Sequence, residues 1–85
     1  MAIEILYFAR IREAIGRSAE TVTPPDEVVT LGDLVAWLAT RGDGYAEAFA
    51  DRGLVRAAIG DAFADPETPI AGAREIALFP PVTGG

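Results

Sequence analysis

One stretch of this 85-residue chain sets its apolar side chains at helical spacing behind a start signal. Thr30-Leu31-Gly32-Asp33 has the capping-box form, a hydroxyl residue followed three positions later by an acid. Leu31, Leu34, Val35 and Leu38 then fall on one face, with Trp37 to its side. The pattern predicts a helix to about residue 40, with Gly42 just past its end. A helix with one apolar stripe has to bury it, and a chain of this length has room for one domain, residues 1–85. The covering layer must come from the rest of the chain, which reads mainly as strand.

Residues 2–8 alternate Ile3, Ile5 and Tyr7 against Glu4, Leu6 and Phe8, which predicts a strand with both faces at least partly covered. Residues 9–16 are short for a helix, though Gly16 could cap one. Residues 19–23 read as a second strand, ended by Pro24-Pro25. A weaker helical turn is expected from Tyr45 to Ala50, closed by Gly53. Residues 54–59 fit a third strand, with a turn or bulge at Gly60-Asp61. A loop with Pro66 and Pro69 carries a short extended piece around Ile70, and Gly72 makes another turn. Residues 75–79 form the last strand, stopped by Pro80-Pro81. The expected architecture is α+β: a mixed sheet, the final strand beside the first, and one principal helix packed across it.

Composition removes most catalytic readings. The chain is 51% apolar and 24% charged, a globular balance. It has no cysteine and no histidine, so thiolate chemistry, disulfides and a hydrolase triad are excluded, and no metal site is expected. No glycine falls in a phosphate-binding loop. The acids are dispersed; Asp61/Asp65 and Glu13/Glu20 read as solvated groups. Arg41-Gly42-Asp43 reads as a chance match to an adhesion tripeptide. A net charge of −6 disfavours nucleic acid and anionic membranes and suits a basic protein partner. All seven basic residues are arginine. Glu4 stands where a secretory leader would be basic, and no apolar run approaches the ~20 residues of a membrane span, so a cytoplasmic protein is expected.

The chain ends Phe79-Pro80-Pro81-Val82-Thr83-Gly84-Gly85. Two prolines fix φ twice and favour an extended exit from the sheet. Gly84-Gly85 then offers backbone alone, a tip that can enter a channel any Cβ would block. Residues 80–85 are therefore expected to form a protruding tail.

With the opening LYFARIREAIG, the central helix and the ending FPPVTGG, the sequence resembles the small-subunit family of molybdopterin synthase over essentially its whole length. These are ubiquitin-like sulfur carriers of the β-grasp fold. The resemblance implies that the C-terminal carboxylate of Gly85 is the reacting group. A ubiquitin-activating-type adenylyltransferase would join it to AMP using ATP, and a sulfur donor protein would convert it to a thiocarboxylate. Pro80, Pro81, Val82, Thr83 and Gly84 would carry it into the large subunit, where it donates sulfur to cyclic pyranopterin monophosphate. The implied assembly has two small and two large subunits, and the chain binds no cofactor of its own.

Strand alternation suggests how such partners grip the chain. If Ile3, Ile5 and Tyr7 face the helix, Leu6 and Phe8 face outward, and Ala77 and Phe79 share one face of the last strand. Phe8 beside Phe79, with Phe63 of the adjacent loop, then makes an apolar outer patch. Arg12 is a candidate for pairing with a partner acid. Three other readings stand beside this one: a thiamine-type sulfur carrier, a ubiquitin-like protein modifier, and a β-grasp interaction module with no tail chemistry.

Overall fold

The computed structural model describes residues 2–81. Its elements are β1 (Ile3–Tyr7), α1 (Ala9–Ile15), β2 (Ala19–Val22), α2 (Leu31–Ala39), α3 (Asp43–Ala48), a 3-10 turn (Arg52–Leu54), β3 (Arg56–Ile59), β4 (Ala62–Ala64) and β5 (Glu75–Phe79). The strands form one sheet in the order β2-β1-β5-β3-β4. The β1–β5 pair is parallel and the other neighbours are antiparallel. This mixed sheet with α2 across it is the expected β-grasp arrangement.

α2 begins as its sequence dictates. The Thr30 hydroxyl accepts from the Asp33 amide at 3.1 Å, and the Asp33 carboxylate accepts from the Thr30 amide at 3.1 Å. Two amide donors with no helical partner are thereby satisfied. The stripe Leu31, Leu34, Val35 and Leu38 is buried. It meets Ile3, Ile5, Tyr7, Ile76 and Leu78, the inward positions of the two central strands. Burying a side chain of this size contributes roughly 1.5–3 kcal/mol, and this layer is where the fold gains most of it.

Several boundaries and one strand differ from the sequence reading. Residues 9–15 do form a helix, because Ile11 is buried beneath it and Gly16, at φ 88°, closes it in the left-handed region. α3 starts at Asp43, earlier than the expected Tyr45. Gly53 does not close a helix; it lies inside the 3-10 turn, where its amide donates to the Asp51 carboxylate. Residues 54 and 55 precede β3 instead of opening it. β4 was not expected: Gly60, at φ 62°, turns the chain into a hairpin, so Phe63 stands on a strand rather than in a loop. The extended piece near Ile70 is present as a bridge between Thr30 and Pro69, with Ile70 buried.

One acid is far from solvated. Glu20 lies on β2, pairs with Ile5, and its side chain is only 7% exposed. Tyr7 and Tyr45 donate their hydroxyls to its Oε2 at 2.7 and 2.6 Å. Arg17 and Arg41 approach Oε1 at 3.2 and 3.1 Å. The Arg41 guanidinium also lies over the rings of Trp37 and Tyr45. Burial alone would push the Glu20 carboxyl up; the hydrogen bonds from Tyr45, Tyr7 and Arg41 outweigh it and hold the group below the usual carboxylate range. Burial, reinforced by the Glu20 carboxylate, pushes the Tyr7 hydroxyl well up and raises that of Tyr45.

Candidate functional site: the outer sheet face and the root of the tail

The helices cover one face of the sheet and leave the other open. Because side chains alternate along a strand, burying Ile76 and Leu78 turns Glu75, Ala77 and Phe79 outward on β5. The same rule turns Glu4 and Leu6 outward on β1. Leu6 pairs with Ala77, Ala77 with Ala58 and Ala58 with Phe63, so these four side chains share the open face.

Phe63 is 86% exposed and therefore no part of the core. Its ring lies 6.1 Å from that of Phe79, centroid to centroid, in a tilted arrangement. Phe79 is half-buried and sits opposite Arg56. Phe8 is 45% exposed. It is the residue just past β1, its amide donating to the Leu78 carbonyl at 3.1 Å, which sets it at the tail end of the same face. The next residue, Ala9, takes φ 52°, a left-handed conformation that strains any residue with a Cβ by about 1 kcal/mol. That sharp turn is what carries the chain from β1 into α1 directly beside the last strand.

The expected aromatic group is thus placed at one end of the open face, with Phe63 and Phe79 in contact. Phe63 and Phe79 are continuous with Leu6, Ala77 and Ala58, so the exposed ring is one edge of a contiguous apolar surface. Arg12 lies on α1 and is exposed. Arg56, opposite Phe79, is a further residue at this end that sequence patterning did not single out, whereas Leu54, 40% exposed in the turn before β3, lines a cleft with Arg10 and Ala14 of α1 and Ala48 of α3. The outward register of β3 could have found Arg56; nothing in the local sequence distinguishes Leu54 from a core leucine.

Pro80 and Pro81 follow β5 and are half-buried. Val82, Thr83, Gly84 and Gly85 lie outside the described residues. The root of the tail therefore emerges at the end of a central strand, flanked by Phe8 on one side and Arg56 on the other. No helix among the described residues is long and apolar enough to cross a membrane.

The chain is 35% identical over 83 residues to the molybdopterin synthase sulfur carrier subunit of Escherichia coli, covering 98% of this chain and 99% of that one. Among solved structures, it superimposes on small archaeal modifier protein 1 of Haloferax volcanii with a TM-score of 0.72 and 26% identity, covering 95% of this chain and 98% of that one. It also matches a chain in the complex of subunits 1 and 2 of the molybdopterin-converting factor of Helicobacter pylori, at a TM-score of 0.65 and 27% identity over the whole of both chains. A model of the ThiS family matches residues 5–85, and the chain belongs to that family.

Proposed function

We propose that this chain is the sulfur carrier subunit of a molybdopterin synthase and that its chemistry resides in the Gly85 carboxylate. The full-length similarity to the E. coli carrier is the observation that carries this reading. The open face supports it, because a carrier with no catalytic side chains of its own must be held by the enzymes that act on its tail.

A carboxylate is a poor electrophile, its charge being spread over two oxygens. Attack by Gly85 on the α-phosphorus of ATP expels pyrophosphate and leaves an acyl-adenylate with a good leaving group. A persulfide sulfur displaces AMP, and once the sulfur–sulfur bond is reduced a thiocarboxylate remains. That group is ionised at neutral pH and is a soft nucleophile. The adenylyltransferase and the donor supply this chemistry; the chain supplies a reactive end on a narrow, stiffened arm. A dithiolene needs two sulfurs, so two charged tails act in turn, in keeping with an assembly of two small and two large subunits in the cytoplasm. Phe8, Phe63, Phe79 and Arg12 contact the large subunit around the channel that takes residues 80–85.

Reconstitution tests the reading. The thiocarboxylated chain, mixed with the large subunit and cyclic pyranopterin monophosphate, is expected to yield molybdopterin. The unmodified chain, or one with a residue added after Gly85, is expected to yield none, since near-attack geometry is lost by shifts of about 1 Å. Full product from the extended chain would refute the mechanism. Likeness to the archaeal modifier favours protein conjugation as a second reading. Isopeptide-linked products, with no thiocarboxylate formed, would select it.

A further inference from the structure

The open face is ordered in rows that run across the strands. Nearest the tail stand Phe79 and Arg56. The middle row is apolar from edge to edge: Ala19, Leu6, Ala77, Ala58 and Phe63. The third row sets Thr21, Glu4 and Glu75 side by side.

Two features of these rows constrain what can dock. The middle row is not level. Ala77 and Ala58 are single methyl groups between Leu6 on one side and Phe63, backed by Phe79, on the other. A flat partner would leave a gap above them, and a gap forfeits contact energy on both sides. The acids of the third row are neighbours on adjacent strands and both are exposed. Like charges directly across a sheet oppose its stability. Among the described residues the ion pairs involve Glu20, and neither Glu4 nor Glu75 forms one. The face therefore has opposite signs at its two ends, Arg56 toward the tail and the acid pair away from it.

Resting on the carrier reading, we propose that the large subunit meets this face with a convex apolar side chain seated over Ala58 and Ala77 and a basic side chain reaching the Glu4–Glu75 pair. The two contacts define a direction as well as a site. A segment with this polarity seats one way round, and that orientation aims the tail at the channel. A basic contact also agrees with the chain's net charge of −6.

The test is calorimetric titration of the large subunit with the wild-type chain, Ala58→Leu and Glu75→Gln, at low and high salt, with the melting temperature of each free chain. Ala58→Leu fills the trough and is expected to weaken binding by about tenfold or more, as hot-spot changes do; Ala77→Leu repeats the test from the neighbouring strand if the first variant misfolds. Glu75→Gln is expected to weaken binding about two- to fivefold at low salt, with the difference vanishing at high salt. Its melting temperature should equal or exceed the wild-type value, because a like-charge contact has been removed. Wild-type affinity in both variants, or a Glu75→Gln defect that is salt-independent and accompanied by a lower melting temperature, would overturn the proposal alone. Failure of the wild-type chain to bind the large subunit would instead defeat the carrier reading, and the proposal with it.

Discussion

A single carboxylate, that of Glu20, ties β2 to β1, to α3 and to the link between the helices through Tyr7, Tyr45 and Arg41. Hydrogen bonds to a charged group contribute about 1.5–3 kcal/mol each when made and leave stranded donors when lost. Glu20→Gln is therefore expected to lower stability by roughly 2–3 kcal/mol in chemical denaturation, more than any exposed acid replaced in the same way. The pH dependence has a definite sign. The folded-state pKa is lowered, so the stabilisation is present above the unfolded value of about 4.3 and is lost as pH falls through it toward the folded value. The wild-type chain should lose stability across that window, and the Glu20→Gln chain should lose less. Parallel curves for the two would show that the hub carries no linked charge.

At the scale of elements, the start of α2 and the crossing of α1 with α3 have separate causes. Thr30→Ala removes one side of the capping box and should cost about 1 kcal/mol, read as a shift in melting temperature. Gly44 lies where α3 meets α1: a Cβ there would stand 2.5 Å from the Ala14 carbonyl oxygen. Ala is the better helix former by about 1 kcal/mol, yet Gly44→Ala is expected to destabilise by 1–3 kcal/mol because backbone has to move. A gain in stability from this change would mean the two helices do not pack as described. α2, β1 and β5 were legible in the sequence because each carries an uninterrupted period of its own, with Thr30 and Pro80-Pro81 as boundary marks. β4 was not, since Ala62-Phe63-Ala64 is too short to show alternation and its pairing depends on the turn at Gly60. α1 was left open and Glu20 was misread for a shared reason: a seven-residue helix and a part-buried acid are both stabilised by partners distant in sequence, which no local pattern reports. The outward phenylalanines were legible, while the trough formed by Ala58 and Ala77 needed the register.

The whole molecule separates two jobs. One face of the sheet is buried under α2 and the other is open; on the proposed carrier reading partners dock on the open face, so changes there should affect binding without unfolding the chain. Phe63→Ala is the sharpest case, given its exposure of 86%: its melting temperature should stay within a few degrees of wild type while affinity for the large subunit falls by more than ~1 kcal/mol. Unfolding without a change in affinity per folded molecule would place Phe63 in the core. On the same reading, Gly84→Ala should leave stability unchanged and sharply slow sulfur loading or transfer, because the added methyl group would have to enter the channel proposed to take bare backbone. The central claim is that Gly85 carries the sulfur. The most direct measurement is the intact mass of the chain after incubation with an adenylyltransferase of the ubiquitin-activating type, ATP and a persulfide donor. The expected result is replacement of one oxygen by sulfur, localised to Gly85 by fragmentation and dependent on ATP. An unchanged mass, with an authentic carrier converted in the same reaction, would contradict it.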